Sequence, residues 1–206
     1  MHVEQLPLGG YQTNAYLVYV GSRGFIIDPG AQGRFLLDHI KERGFTPEAV
    51  LLTHAHGDHI GALKDVLDAY SIPVYLHEKE KKVLDTPSMN LGSMMGIDLV
   101  KPENLRLVKD GDTIDVAGFQ LTVLHTPGHT PGSVCYRLEN VLFSGDTLFQ
   151  GSIGRTDFPG GNVEHMMASL ARLSEIPENL VVLSGHGMRT DLDTEKARNP
   201  FMRELL

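Results

Sequence analysis

The stretch LTHAHGDHI, residues 52–60, places four side chains with metal-binding groups within six positions. These side chains are His54, His56, Asp58 and His59. Two histidines at positions i and i+2 of a turn can project to the same side and share one ion, while Asp58 and His59 can face a second ion. Imidazole and carboxylate groups bind zinc, iron and manganese. The spacing therefore favours a metal site strongly over a surface loop with solvated histidines.

Three more polar residues stand in turns flanked by glycine, each directly after a predicted strand. They are His129 in HTPGHTPGS, Asp146 in FSGDTLF and His186 in LSGHG. Small neighbours allow the backbone to turn tightly, so that an imidazole or a carboxylate can reach a crowded site. A lone loop histidine is usually structural or solvated. It is therefore the shared position at strand ends that makes these residues candidate ligands.

Short apolar runs separated by Gly and Pro predict the strands and helices that must carry these turns. In the first half we expect strands at TNAYLVYV, GFIIDPG, AVLLT and IPVYLH, and helices at GRFLLDHIKERG, IGALKDVLDAY and EKEKKVL. From Leu105 onward the pattern predicts an antiparallel series, LRLV, DTIDV, FQLTVLHT, SVCYRL and VLFSGD, then the helix NVEHMMASLARL and the strand LVVLSGHG. His77, at the end of IPVYLH, is expected to cap a helix or to pack rather than to bind a metal.

The segment DTPSMNLGSMMGIDLVKPENL is the one long stretch without a regular pattern. A loop of this length beside a site often covers it. Met89, Met94 and Met95 can line an adaptable apolar pocket, and packing against the sheet explains them equally well. The loop from Met89 to Leu99 and the region of Arg155 are therefore expected to shape the substrate pocket.

Length and composition fit one globular domain over residues 1–206, with 41% hydrophobic and 21% charged residues. The formal net charge is −8 and Lys and Arg are not clustered, which argues against nucleic acid and favours a small-molecule partner. No apolar run approaches the ~20 residues that span a bilayer, and the N-terminus lacks the features of a signal peptide. We therefore expect a cytoplasmic protein that does not bind membranes. Its one cysteine, Cys135, is expected to be a small buried side chain in a strand.

In their order along the chain, the motifs THAHGDH, TPGHTPGS, FSGDTLF and SGHG resemble those of the metallo-β-lactamase superfamily. Within it they are most similar to the short glyoxalase II-like, or hydroxyacylglutathione hydrolase-like, enzymes. The resemblance implies an α+β fold, a four-layer αββα sandwich with two packed sheets, helices outside and the metal site along one edge. Full-length glyoxalase II enzymes add a helical C-terminal domain that helps to bind glutathione. Only about twenty residues follow His186, so we expect no such domain here.

The resemblance also implies a complete set of seven metal ligands. The first metal takes His54, His56 and His129, the second takes Asp58, His59 and His186, and Asp146 bridges both. Asp28 in IIDPG matches a family position that orients a ligand or a loop. A turn-forming role before Pro-Gly explains Asp28 almost equally well. Two divalent ions are expected, with zinc as first choice and iron or manganese as alternatives.

Two cations that share a water lower its pKa from ~15.7 towards ~7, which makes hydroxide available at neutral pH. A metal also polarises the substrate carbonyl, and Asp58 is expected to hold and orient the hydroxide. No motif places a Tyr, Lys or Glu as proton donor for the leaving group. A thiol, with a pKa of ~8.5, can leave as a thiolate without such a donor. The expected reaction is hydrolysis of a thioester, similar to S-lactoylglutathione, by a metal-bridging hydroxide.

Four residues bear on specificity within the superfamily. Asp146 stands where true β-lactamases usually carry Cys or Ser, so cleavage of antibiotics is not expected. Arg155 in GSIGRTDF matches a basic position that contacts glutathione, although a solvated loop arginine explains it comparably well. Asp157 and Met188 stand where glutathione-specific enzymes have tyrosines, so the thiol carrier stays open.

Other functions stay open beside thioester hydrolysis. The run Gly-Arg-Thr-Asp-Phe is similar to that of persulfide dioxygenases in this superfamily, which bind a single ferrous ion and act on glutathione persulfide. Two histidines and a carboxylate from the same ligand set would serve that chemistry. A lactonase fits the ligands as well. A non-catalytic metal-binding scaffold would need a lost ligand or a blocked pocket, and the sequence shows neither.

Overall fold

The computed structural model describes residues 1–97, 100–203 and 205. A first six-stranded sheet is built mainly from the first half of the chain. In spatial order it contains β1 (His2–Leu8), β2 (Thr13–Val20), β3 (Arg23–Ile27), β4 (Thr46–Leu51), β5 (Val74–His77) and β6 (Leu105–Val108). Strands β1 to β3 are antiparallel, and β3 to β6 run parallel to one another.

A second six-stranded sheet follows. In spatial order it contains β7 (Thr113–Val116), β8 (Phe119–His125), β9 (Val134–Leu138), β10 (Val141–Gly145), β13 (Val181–Ser184) and β14 (Thr190–Asp191). Its strands are antiparallel except for β10 and β13, which are parallel. A short hairpin of β11 (Leu148–Phe149) and β12 (Ser152–Ile153) follows β10 in the chain.

The helices cover the outer faces of the two sheets and also form part of the turns between strands. Those in the described residues are α1 (Gly33–Arg43), α2 (Gly57–Ile60), α3 (Leu63–Ala69), α4 (Lys81–Leu84), α5 (Gly92–Met95), α6 (Val163–Ser174), α7 (Leu192–Arg198) and α8 (Pro200–Arg203). As predicted, α1 ends at Gly44, whose φ of 71° lets its N–H reach the last carbonyls of the helix. A 3₁₀ turn at Glu78–Glu80 precedes α4. His77 caps that turn, because its Nδ1 accepts the N–H of Lys79 at 3.3 Å.

Three apolar clusters lie between the four layers of the fold. Strand β2 contributes side chains to two of these clusters. Tyr16 and Val18 lie in the cluster between the sheets, whereas Ala15 and Leu17 lie in the cluster that joins the first sheet to α1 and α3. Successive residues of a strand point to opposite faces, so a strand covered on both sides is apolar throughout. This explains the unbroken apolar run of TNAYLVYV.

The third cluster packs the outer face of the second sheet against α6 and the C-terminal helices. Leu142 of β10 and Val182 of β13 meet Leu170 of α6 there, together with Leu192 and Met202. Cys135 belongs to the same cluster and is fully buried, as expected for a small apolar side chain. The layers are therefore helices, sheet, sheet and helices, which is the αββα sandwich that the sequence motifs imply.

The strand LRLV corrects one expectation. The sequence pattern predicts it as the start of the antiparallel series, but as β6 it pairs in parallel with β5, with Leu105 opposite Val74. The sequence pattern gives no orientation for β13, which joins β10 in parallel. An apolar pattern specifies which face of a strand is buried, not which strand lies beside it, because the same side chains are buried next to either neighbour.

Other parts of the fold are not anticipated by the sequence pattern. Neither β1 nor the C-terminal helices α7 and α8 is predicted, and the long irregular segment contains the short helix α5. Of the loop expected to shape the pocket, Asp98 and Leu99 lie outside the described residues. No helix in the described part of the chain has the length and apolar character needed to cross a bilayer.

Candidate metal centre

The seven candidate ligands meet at one edge of the sandwich, where strands of both sheets end. Two of them, His54 and His56, follow β4, and two more lie in α2. The others stand in the loop between β8 and β9, directly after β10, and after β13. Ligands commonly bind where the carboxyl ends of strands expose loops. The sandwich thus brings together residues that lie more than a hundred positions apart in the chain.

Two glycines leave the space that this convergence needs. Gly145, directly before Asp146, has a φ of +48°, and a Cβ added to it would lie 2.4 Å from Oγ1 of Thr53. A Cβ added to Gly185 would lie 2.1 Å from Oδ1 of Asp146 and 2.7 Å from Cε1 of His59. Non-bonded atoms do not approach that closely, so a side chain at Gly145 would displace Thr53, and one at Gly185 would displace candidate ligands. The glycines of FSGDTLF and LSGHG are explained by this crowding.

Three histidines form the buried half of the centre, which we term the histidine triad: His54, His56 and His129. Their ligand nitrogens lie within 4.8 Å of one another, and their rings are at most 3% exposed. Nδ1 of His56 lies 2.8 Å from Nε2 of His129. The other nitrogen of His129, Nδ1, lies 2.7 Å from the carbonyl oxygen of Arg155. That nitrogen donates to the carbonyl, which leaves the lone pair of Nε2 directed at the centre.

Burial decides the charge of two rings of the histidine triad, those of His54 and His56. Burial, reinforced by the neighbouring imidazoles, holds the pKa of His54 well below its usual value and lowers the pKa of His56 to about 3. Desolvation disfavours the charged imidazolium, so both rings are neutral at pH 7. A neutral imidazole is the form that binds a metal ion.

The second half is termed the acidic triad: Asp58, His59 and His186. Nε2 of His186 lies 3.2 Å from Oδ2 of Asp58, and Nε2 of His59 lies 3.7 Å from the same oxygen. The hydroxyl of Thr13 donates a hydrogen bond to that oxygen at 2.8 Å. Nδ1 of His59 lies 2.9 Å from Oδ2 of Asp28, a carboxylate that orients the ring.

Carboxylates decide the charge of the acidic triad. Burial alone would lower the pKa of both histidines, but the nearby carboxylates raise the pKa of His59 well above its usual value and that of His186 to about 9. Burial would likewise raise the pKa of Asp58, yet His59 and a hydrogen bond from His186 hold it well below its usual range. The acidic triad therefore carries charges of both signs, unlike the neutral rings of His54 and His56.

Asp146 lies between the two triads. Its Oδ1 is 3.4 Å from Nε2 of His59, and its Oδ2 is 3.5 Å from Nε2 of both His129 and His186. Although burial opposes ionisation, the positive charge of His59 holds the pKa of Asp146 well below its usual range. One ionised carboxylate thus faces the nitrogens of both halves.

Buried atoms without a partner indicate what this arrangement can hold. Within the described residues, four such atoms find no hydrogen bond: Nε2 of His54, His56 and His59, and Oδ1 of Asp146. An unsatisfied buried polar atom costs free energy. Ligands at 2.0–2.1 Å from a tetrahedral zinc ion lie about 3.3 Å apart, close to the separations around Asp146. The histidine and aspartate clusters can therefore hold metal ions. With nitrogen and oxygen donors alone, they suit zinc, iron or manganese.

Comparison with known proteins identifies the family. A family model described as the metallo-beta-lactamase superfamily matches residues 8–186. The chain belongs to the metallo-beta-lactamase superfamily. This confirms the family and the fold that the four motifs imply.

The chain is similar over almost its whole length to a probable metallo-hydrolase and to a hydroxyacylglutathione hydrolase. The chain is 46% identical to the probable metallo-hydrolase YqgX of Bacillus subtilis, over 98% of each sequence. It is 33% identical to the hydroxyacylglutathione hydrolase GloC of Haemophilus influenzae, again over 98% of each. The chain therefore belongs among metallo-hydrolases that include a glyoxalase II-like relative.

Three solved structures share the fold of this superfamily member. BLEG-1, a B3 metallo-beta-lactamase, is 45% identical with a TM-score of 0.92, covering 98% of this chain and 99% of that one. TTHA1623 in a di-iron-bound form is 40% identical with a TM-score of 0.86, covering 97% and 100%. ETHE1 from Myxococcus xanthus is 29% identical with a TM-score of 0.81, covering 97% and 84%.

Two buried carboxylates, those of Asp28 and Glu80, lie beside the candidate metal ligands. Asp28 was expected either to orient a ligand or to form a turn, and in the structure its carboxylate contacts a candidate ligand. It has a φ of 50°, it contacts His59, and it accepts hydrogen bonds from the N–H and Oγ1 of Thr53 at 2.8 and 2.6 Å. The other carboxylate, Glu80, is fully buried, and burial raises its pKa to about 7. Glu80 is missed by sequence reasoning, because EKEKKVL has the pattern of a solvated helix.

A cavity of about 430 Å³ lies over the metal centre. Its apolar lining residues are Leu91, Met94, Met95, Phe149, Ile153 and Phe158. Two methionines of the long segment thus line the pocket, whereas Met89 packs against the core beside the first sheet. Both alternatives drawn from the sequence for these methionines are realised, each by different residues.

Arg155 lines the same cavity, but its charge is already engaged. Its Nε and Nη2 donate to the two carboxylate oxygens of Asp157 at 2.6 and 2.7 Å. Its guanidinium carbon also lies 3.9 Å from the ring centroid of Phe158. Met188 lies outside the cavity wall and is 69% exposed.

Proposed function

We propose that the chain is a thioester hydrolase that binds two divalent metal ions, with zinc as first choice. The observation that carries the proposal is the position of Asp146, 3.4–3.5 Å from nitrogens of both triads. A carboxylate placed in this way can bridge two ions, one in each triad. We further propose that the partner is a small molecule and that the ligands act as the superfamily resemblance implies.

The residues of the chain position the reactants. Bound divalent ions supply a water of lowered pKa and polarise a carbonyl group. Asp58 is held by Thr13 through a 2.8 Å hydrogen bond, and its oxygen lies beside both histidines of its triad. It can therefore accept a hydrogen bond from the attacking water and orient it. The apolar residues that line the cavity can contact the apolar part of a substrate.

The leaving group supports a thioester over an amide. Among the described residues that line the cavity there is neither a lysine nor a glutamate, and the one tyrosine, Tyr11, is 63% exposed. A thiolate can leave without a proton donor, whereas an amine needs one. The identity to GloC makes a hydroxyacylglutathione, such as S-lactoylglutathione, the first substrate to test.

One cluster in the centre favours a second candidate function. Two histidines and one carboxylate, His54, His59 and Asp146, have ligand atoms within 4.8 Å of one another. This is the donor set of non-haem iron oxygenases. Together with the run Gly154–Phe158 and the similarity to ETHE1, it supports a mononuclear iron persulfide dioxygenase that acts on glutathione persulfide.

The comparison with BLEG-1 requires a β-lactam among the test substrates as well. That B3 metallo-beta-lactamase is 45% identical to this chain over nearly its whole length. The expectation against antibiotic cleavage rests on Asp146 alone, so a direct assay decides it. A lactone belongs in the same panel, since the ligand set suits its ester bond.

The decisive experiment combines metal analysis with four substrates. Purified protein is assayed for zinc, iron and manganese content, then for hydrolysis of S-lactoylglutathione, a lactone and a chromogenic β-lactam, and for O₂ uptake with glutathione persulfide. We expect about two metal ions per chain and acid release from the thioester. O₂ uptake with a single iron would replace the proposal with the dioxygenase. Metal-loaded protein that is inactive in every assay would indicate a binding scaffold.

A further inference from the structure

We infer that Glu80 is a positioning residue for the metal centre: its carboxylate fixes the separation between the loop of His54 and the loop of His129. The inference concerns metal binding and does not depend on the substrate. A failure of thioester hydrolysis would therefore leave it untouched.

Glu80 is fully buried and binds two loops at once. Its Oε1 accepts the backbone N–H of Ala55 at 3.0 Å. Its Oε2 accepts the hydroxyl of Thr130 and the backbone N–H of Gly132, both at 2.8 Å. Each carboxylate oxygen thus serves one loop.

The bonded residues are the neighbours of the candidate ligands. Ala55 lies between His54 and His56, and Thr130 directly follows His129. The three rings must converge on one ion, and Nδ1 of His56 already lies 2.8 Å from Nε2 of His129. A change in the separation of the loops would alter that distance directly. Because metal–nitrogen bonds are short and directional, the same change would weaken the ion's binding.

Glu80 is itself held rigidly. It ends the 3₁₀ turn that His77 caps. A Cβ added to Gly132 would lie only 2.4 Å from the backbone nitrogen of Glu80, so the second loop packs directly against the backbone of this turn. A fully buried side chain with both carboxylate oxygens hydrogen-bonded can define a distance in a way that an exposed side chain cannot.

Glu195 provides a matched control for a purely structural role. It is 1% exposed, and its carboxylate also accepts three hydrogen bonds, from the N–H of Gly151, the hydroxyl of Thr190 and the amide of Asn199. None of these bonds reaches either histidine loop. Loss of Glu195 should therefore destabilise the protein without changing the geometry of the triads.

The test compares Glu80→Gln with Glu195→Gln in the full chain. Glutamine keeps the size of the side chain but replaces one acceptor oxygen by an NH₂ group, so one histidine loop loses its anchor. Zn²⁺ affinity is measured by competition with a chromophoric chelator, and thermal unfolding is measured on metal-free protein. We expect both variants to unfold at similarly lowered temperatures. Only Glu80→Gln should bind Zn²⁺ more weakly, by about ten- to a hundredfold.

Two outcomes would overturn the inference. One is Zn²⁺ affinity in Glu80→Gln within twofold of the unchanged protein, and the other is an equal loss of affinity in Glu195→Gln. If Glu80→Gln does not fold, Thr130→Val decides the question, because it removes the hydroxyl that donates to Glu80 and leaves the carboxylate in place; Ser133→Ala, which removes the other contact of that hydroxyl, is its control. Thr130→Val should lose affinity severalfold, and unchanged affinity would refute the role of Glu80.

Discussion

The two halves of the metal centre are held in different ways. The histidine triad is nearly inaccessible to solvent, and its loops are fastened by hydrogen bonds from uncharged donors to the carboxylate of Glu80. The acidic triad is more open, since the side chain of His186 is 29% exposed. It is fastened by contacts between its own carboxylate and imidazole groups and by Asp28.

This difference teaches how one site can present two kinds of ligand. In the histidine triad, burial lowers the pKa of His54 and His56 and keeps the rings neutral. In the acidic triad, carboxylates overcome burial and raise the pKa of His59 and His186. The buried half is therefore prepared for an ion by packing. The acidic triad is prepared by negative charge, and a metal ion bound there would compete with the protons of His59 and His186.

Asp146 gives the largest expected effect, because it faces both halves. For Asp146→Ala we expect loss of bound metal in both triads and loss of hydrolysis. Helix and strand content should stay near that of the unchanged protein, because the side chain lies at the edge of the sandwich. Elemental analysis measures the bound metal, a thioester assay measures hydrolysis, and circular dichroism measures helix and strand content. Full metal stoichiometry in this variant would contradict a bridging role.

A pair of substitutions tests whether the histidine triad contains a buried polar atom without a hydrogen-bond partner. In metal-free protein, His54→Leu should raise the free energy of unfolding by about 1 kcal/mol, because Nε2 of His54 is buried and unbonded among the described residues. His186→Leu should instead lower it by about 1–2 kcal/mol, because the imidazole is the charged partner of Asp58 at 3.2 Å. Chemical denaturation measures both. The reverse order would show that packing, not desolvation, dominates at His54.

Asp28→Asn tests whether the acidic half depends on its supporting carboxylate. Asparagine tolerates the φ of 50° at this position, so the backbone should be preserved. The ring of His59 would lose a charged partner at 2.9 Å. We expect one of the Zn²⁺ binding steps to weaken by about ten- to a hundredfold, measured by calorimetry. Equal weakening of every step would show that Asp28 supports the buried half too, through Thr53.

Asp157→Asn tests the ion pair between Asp157 and the cavity residue Arg155, and it has the smallest expected effect. It would release the guanidinium of Arg155 from a bidentate pair in which both side chains are more than half exposed. If thioesters are substrates, KM for a glutathione thioester should fall by about two- to fivefold, since exposed ion pairs are weak. KM for the uncharged N-acetylcysteamine thioester serves as the control and should not change. A parallel change in both would assign Asp157 a role in pocket shape instead of charge.

The fold shows what patterning can and cannot specify. The strand TNAYLVYV, the helix ending at Gly44 and the αββα layering follow from apolar periodicity, a helix stop signal and ordered motifs. The pairing of β6 with β5 and the parallel pairing of β13 with β10 do not. Periodicity reports the environment of each face, and several strand orders bury the same faces equally well.

The candidate site likewise has features that the sequence shows and features that only the structure shows. The types and order of the seven candidate ligands are visible in the sequence by itself, because imidazole and carboxylate chemistry belongs to the side chain and glycine marks a tight turn. Only the tertiary structure decided that Glu80 is buried behind the histidine triad and that Asp157 engages Arg155. It also decided that Asp146 lies between the triads. These are contacts between distant segments, and their distances depend on how two sheets pack rather than on any local spacing.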